Sequence, residues 1–172
     1  MSAKRSPEMP IIRYAIASDL PRLTEIYNHY VRETAITFDV DEYTVEARRR
    51  WFEQHAGTGR HQLVVAEVDG RVVGYAGTGT FRAKRAYDTS VEMTIYVAKD
   101  ATGGGIGTAL YRDLFARLAK EDVHRALAGI TLPNPASLAL HARFGFRQVA
   151  HFTENGRKFG RYWDVVWLEK EI

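Results

Sequence analysis

The sequence predicts an α/β (α+β) fold: a single domain in which helices flank a central mixed β-sheet. Three observations lead there. Segments with apolar residues at helical spacing alternate along the chain with short β-rich runs. Two β-rich stretches meet at Asp69 and Gly70, the pattern of a hairpin. A strand, a glycine-rich loop and a helix follow one another directly between Ser90 and Leu118.

Taken in order, the first ten residues, MSAKRSPEMP, are polar and proline-containing with no apolar core segment. They are expected to be a loose tail rather than a signal peptide, leaving residues 11–172 as the domain. Ser18 and Asp19 precede Leu20, Leu23, Ile26, Tyr27 and Tyr30, a capped start followed by a helical stripe. A second helix is expected from Thr44, with Val45 and Phe52 on one face. Residues 62–68 and 71–81 are the hairpin strands. Residues 90–97 read as a strand, and Leu110, Leu114 and Leu118 mark the helix after the glycine loop. The continuous apolar run 126–132 suits a strand covered on both faces. Asn134 and Pro135 then open another helix, as a favoured N-cap and first-turn residue, and Gly145 closes it. Two closing strands are expected over 146–152 and 162–168, with Asn155 and Gly156 turning between them.

Composition narrows the chemistry. The 172 residues are 45% hydrophobic and 26% charged, ordinary for a soluble domain, and no apolar run reaches membrane-spanning length. With no cysteine, disulfides, thiolate metal sites and thiol nucleophiles are all excluded. A net charge of +3, from 24 basic and 21 acidic residues, does not call for nucleic acid. No partner of that kind and no membrane is expected, and the address is taken as cytoplasmic. The cluster Arg48, Arg49, Arg50 reads as a solvated helix face. The histidines at 29, 55, 61, 124 and 151 lack metal-ligand spacing, so no metal is expected.

The loop Thr102-Gly103-Gly104-Gly105-Ile106-Gly107-Thr108 lies where backbone N–H groups and a helix dipole favour an anion such as a phosphate or pyrophosphate. A turn that merely needs glycine is the alternative. Two familiar phosphate frames fail on detail. A P-loop needs a lysine after its last glycine, but Thr108 follows Gly107. A dinucleotide fingerprint counted from Gly103 needs glycine at its sixth position, where Thr108 again stands.

The frame that remains resembles the GNAT acetyltransferase superfamily, whose acetyl-CoA loop reads Gln/Arg-x-x-Gly-x-Gly/Ala after a central strand. Thr102 departs from it where Gln or Arg is usual. Tyr27-Asn28-His29-Tyr30, Phe38, Ala86-Tyr87-Asp88, Val91-Glu92, Leu132-Pro133-Asn134 and residues 137–146 are together similar to the phosphinothricin acetyltransferase branch. So are Lys158, Gly160, Trp163 and Asp164, so that the likeness runs from about Ile11 to Leu168. It implies a mostly antiparallel GNAT sheet, acetyl-CoA as co-substrate and an N-acetyltransferase of the methionine sulfoximine, methionine sulfone or phosphinothricin type, the last conferring herbicide resistance. It also implies a homodimer, to which residues 162–168 could contribute. The N–H groups of Gly103, Gly104, Gly105, Ile106, Gly107 and Thr108 would hold the pyrophosphate. Ile95, Tyr96 and Val97 would pair with the pantetheine arm like an added strand. The Val97 N–H would polarise the thioester carbonyl, and Asn134 would contact pantetheine unless its own helix occupies it.

Acetylating an amine needs a deprotonated nucleophile, a polarised carbonyl and a protonated leaving thiolate. Glu92, between Val91 and Met93, is the candidate base, its pKa raised by apolar neighbours, although alternation equally allows an outward-facing residue. His141 is the candidate acid, or shares the base role; the branch carries histidine where other relatives carry tyrosine. Arg82 and Lys84, flanking Ala83 in an extended segment, would project to one side and receive a carboxylate or phosphinate. Phe38, Met93 and Thr94 would complete the pocket for a small amino-acid-like substrate. Two other readings are a GNAT enzyme for a protein N-terminus or polyamine, and a non-catalytic acetyl-CoA-binding module. The cations argue against the polyamine. Glu92 with His141 argues against the sensor.

Overall fold

Seven strands, β1 (Ile11–Tyr14), β2 (Leu63–Val68), β3 (Arg71–Thr80), β4 (Ser90–Val97), β5 (Arg125–Thr131), β6 (Arg147–Lys158) and β7 (Arg161–Glu171), join in one sheet ordered β1-β2-β3-β4-β5-β7-β6. Every pairing is antiparallel except β4 with β5. The structure is a computed structural model and describes residues 9–172. Most of the expected tail therefore lies outside the described residues. The four helices are α1 (Leu20–Glu33), α2 (Val45–Phe52), α3 (Ile106–Leu118) and α4 (Pro135–Arg143).

Alternation explains how the central strands bury both faces. Leu63 and Val65 of β2 pack with Tyr75, Leu23 and Ile26 on the side of α1 and α2. Val64 and Ala66 pack with Ala76, Val91, Met93 and the α3 leucines on the other side. Leu110, Leu114 and Leu118 are fully buried, so truncating any one to alanine would cost about 2–5 kcal/mol.

Local chemistry sets the boundaries. The Thr44 hydroxyl accepts the Ala47 N–H at 3.1 Å and caps α2, a contact of about 1 kcal/mol. At α1, by contrast, the Asp19 carboxylate accepts the Ile16 N–H and pairs with Arg13 of β1 at 2.7 Å instead of capping the helix. Asp69 and Gly70 both take positive φ, 50° and 73°, as a type I′ hairpin turn requires.

Three expectations need correction. The last hairpin turns at Phe159 and Gly160 (φ 53° and 72°), while Asn155 and Gly156 lie inside β6 beside an irregularity in the ladder with β7. Strand β7 is internal, paired with β5 and β6, so the outer edge near the C-terminus belongs to β6. Arg48 is not solvated: it is only 6% exposed, its guanidinium 4.3 Å from the Tyr27 ring centre and 3.9 Å from that of Trp51. Those faces offset part of its desolvation, by about 2 kcal/mol each. Arg49 and Arg50 are exposed, as expected. Strand β1 was not anticipated; it is four residues long and half-exposed.

Candidate active site

The only parallel pair of the sheet parts almost as soon as it forms. β4 and β5 are paired from Ser90 with Arg125 to Glu92 with Leu127 and no further. Beyond that point β4 stays with β3 up to Val97, and β5 stays with β7 up to Thr131. A cleft of about 410 Å³ opens between them, lined by Met93, Thr94, Ile95, Tyr96, Asn134 and His141 among others. Its β4 wall presents free backbone. The Ala98 N–H donates to Val73 O at 2.8 Å, and antiparallel bonds to β3 alternate from there. Beyond the last β4–β5 pair, the N–H groups of Ile95 and Val97 consequently turn away from β3 on the open side. Such an edge is made for an extended ligand with amide groups of its own. Tyr96 turns its side chain the other way, against the rings of Tyr27 and Tyr30, each at 5.0 Å.

At the open end lies the glycine loop. Gly103 and Gly105 take φ of 80° and 77°, which a side chain would strain. Gly105 is the N-cap of α3 and brings no capping side chain, so the first N–H groups of the helix, on Ile106, Gly107 and Thr108, remain available to an anion. Gly104 completes the loop, and Gly107 packs α3 closely against Leu140 of α4. The Thr102 hydroxyl donates to Lys99 O at 3.2 Å and is spent within its own loop. A cation reaches the loop from another direction: Arg143 of α4 donates to the Thr108 hydroxyl at 3.1 Å. Sequence reading missed Arg143 because the contact spans 35 positions. This free edge followed by a positively polarised loop fits acetyl-CoA, whose pantetheine amides and pyrophosphate match the two parts in order.

Glu92 sits where β4 and β5 part. Its carboxyl group is half-buried, and burial raises its pKa above the ordinary glutamate value against the opposing pull of the Arg82 guanidinium. Val91 and Met93 face the α3 side, and Glu92 and Thr94 face the α2 side. His141 is buried, 2% exposed, with both ring nitrogens engaged. Nδ1 lies 2.8 Å from Ser137 O, which can only accept, so Nδ1 carries the proton. Nε2 then accepts from the Tyr111 hydroxyl at 2.9 Å. Burial lowers the His141 pKa and holds the ring neutral, and burial pushes the Tyr111 hydroxyl pKa well up. Tyr111 lines the cleft and is the group that His141 holds there. It went unnoticed in the sequence because Tyr in an apolar helical stripe looks like core. Asn134 also lines the cleft, but its side-chain oxygen accepts the Ser137 N–H at 3.2 Å and caps α4.

Phe38 forms the outer wall of the cleft. Its loop is fastened by Lys158, whose buried ammonium donates to Thr37 O at 2.8 Å, and by Tyr27, whose hydroxyl meets the Thr37 hydroxyl at 2.8 Å. The Phe38 ring rests on Gly156: a Cβ built there would lie 2.1 Å from it. Arg82, Ala83 and Lys84 are all exposed, and none of them lines the cleft. The segment 81–84 bends instead of running extended, so alternation does not align Arg82 with Lys84. Arg82 lies across the Phe81 ring at 4.9 Å and acts on Glu92 through its charge. Among the described residues no group of three or more His, Asp or Glu could hold a metal ion, and no helix is long and apolar enough to cross a membrane.

The chain matches the family model for the acetyltransferase (GNAT) domain over residues 12–167. It is 54% identical over 163 residues to the phosphinothricin N-acetyltransferase of Streptomyces coelicolor, covering 94% of this chain and 95% of that protein. It is 34% identical to the L-methionine sulfoximine/L-methionine sulfone acetyltransferase of Pseudomonas paraeruginosa, covering 94% of each. The fold superposes with a TM-score of 0.91 on a phosphinothricin acetyltransferase of the GNAT superfamily from Sinorhizobium meliloti in complex with acetyl-CoA. That protein is 32% identical, with 96% of this chain and 89% of that one covered. With the split β4–β5 pair, its free edge and the glycine loop, these likenesses make the chain a member of the GNAT family, an N-acetyltransferase that uses acetyl-CoA.

Proposed function

We propose that the chain acetylates the α-amine of a small anionic amino acid of the phosphinothricin, methionine sulfone or methionine sulfoximine type, with Glu92 as the base. The observation that carries this reading is the half-buried Glu92 carboxylate at the inner end of the cleft, its pKa raised by burial. Acetyl-CoA, held by the β4 edge and the loop at 103–108, supplies the thioester. Glu92 takes a proton from the incoming ammonium, which is otherwise charged at neutral pH. The Val97 N–H, turned into the cleft, supports the carbonyl oxygen as it gains charge. The Tyr111 hydroxyl swings its proton from His141 Nε2 to the departing sulfur while its oxygen takes the proton the nitrogen sheds, and the new O–H returns to Nε2. Phe38 packs on the acceptor side chain. Arg82, whose charge already reaches Glu92, attracts the acceptor's anionic group, with Lys84 as a second cation further out.

Names of relatives support the acceptor class, and so does the absence of an acidic lining that a polyamine would want: Glu92 is the only carboxylate among the residues lining the cleft. As a homodimer, the chain would offer the outer edge of β6, where Val149 and Phe152 are about half exposed. An acetyl-CoA turnover screen over amino acids and their phosphinate, sulfone and sulfoximine analogues, read by released thiol, tests the substrate. Turnover is expected with the analogues; turnover confined to peptides or polyamines would overturn the assignment.

A further inference from the structure

Acetylation of an ammonium group releases a proton. The nitrogen arrives with three hydrogens and leaves as an amide with one; the sulfur keeps one, and one must reach solvent. On the reading above, on which this inference rests, Glu92 holds that last proton while acceptor and acetyl-CoA fill the cleft beside it.

Glu92 has a second side. Glu92 also lines a separate cavity of about 250 Å³ next to α2, together with Thr94, Trp51, His55, His61 and Gly79. Gly79 is the direct partner of Glu92 in the β3–β4 ladder, and nothing lies within 4 Å of where its Cβ would stand, so the space beside the carboxylate is open. At about 30 Å³ per water, the cavity holds a short chain of them. Beyond it runs a surface groove bordered by Arg60 and Asp88. Gln54, Thr80 and His61 line both spaces, and of these only histidine exchanges protons near neutral pH. His55 lines the inner cavity but not the groove, and its Nδ1 lies 3.3 Å from Phe52 O.

We propose that His61 is the proton exit of the active site, carrying the proton that Glu92 removes from the acceptor through the α2-side cavity to solvent. The carboxylic acid gives its proton to a water chain, the His61 ring takes one from the far end, and the imidazolium releases it into the groove. Glu92 is thereby restored as a carboxylate. Burial and the Arg60 guanidinium hold the His61 pKa below the usual histidine value, against Asp88, so the ring rests neutral and ready to accept. His61 does not line the cleft and acts through Glu92.

The test uses His61→Gln and His61→Ala with phosphinothricin and acetyl-CoA as substrates in a weakly buffered medium. In His61→Gln, kcat should fall about tenfold with both KM values unchanged. In His61→Ala, added imidazole should restore kcat, which a packing defect would not allow. An unchanged kcat in His61→Gln, a change confined to the KM for phosphinothricin, or no recovery with imidazole would overturn the proposal. Glu92→Gln is run alongside. Loss of turnover there with full turnover in both His61 variants removes the exit and leaves the base; full turnover in Glu92→Gln removes the base itself.

Discussion

The two halves of the cleft are built from different material. The half proposed for acetyl-CoA is mostly backbone: the N–H groups of β4 beyond its pairing with β5, and the positive-φ loop leading into α3. The half proposed for the acceptor is side chains gathered from distant places: Phe38 before α2 and Glu92 on β4, with Arg82 after β3 acting on Glu92 from outside the lining and Gly156 and Lys158 of β6 holding the Phe38 wall. Backbone geometry tolerates change in side chains, because a strand edge and a helix terminus keep their hydrogen-bonding groups whatever residues carry them. Thr102 in place of the family's Gln or Arg is an example, with Arg143 hydrogen-bonded to the Thr108 hydroxyl at the end of the loop. A pocket made of side chains has no such tolerance, and acceptor choice should respond sharply to single substitutions.

That contrast can be broken by experiment. The largest effect is expected between the two halves, at the chemistry. Tyr111→Phe removes the hydroxyl held by His141 and should lower kcat about a hundredfold with acetyl-CoA affinity unchanged. Steady-state kinetics with an acetyl-CoA titration checks it, and an unaltered kcat would return the proton-donor role to some other group. A smaller effect is expected at the acceptor wall. Gly156→Val drives into the Phe38 ring and should raise the KM for the acceptor about tenfold, the result of about 1–3 kcal/mol of overpacking. The KM for acetyl-CoA should not move, and adding Phe38→Ala should recover part of the loss. Equal rises in both KM values would show that the halves are not separable.

The same division explains what could be read from the sequence. Short-range signals carried through: Asp69-Gly70 demanded positive φ, Asn134-Pro135 opened α4, and the glycines before α3 marked the loop. Features set by distant contacts did not. Gly156 looked like a turn residue, yet it is glycine where the Phe38 ring lies on the strand, and the turn falls three residues later. Arg48 looked like one of three solvated charges because nothing local distinguishes it from Arg49; its aromatic surroundings come from α1 and its own next turn. His141 was visible as a candidate, but its bond to Tyr111, 30 positions away, was not. Alternation puts Arg82 and Lys84 on one side only of an extended segment, and this segment bends.

The separation of the two halves meets at Glu92, and one measurement addresses it directly: the rate of acetyl transfer by Glu92→Gln as acetyl-CoA is titrated at saturating phosphinothricin. The expected result is half-saturation at the wild-type acetyl-CoA concentration, with a maximal rate lower by a factor on the order of a thousand. The wild-type rate should itself fall with acidification through a range above the ordinary carboxylate pKa, because burial makes Glu92 harder to ionise. A maximal rate equal to that of the wild type would contradict the account.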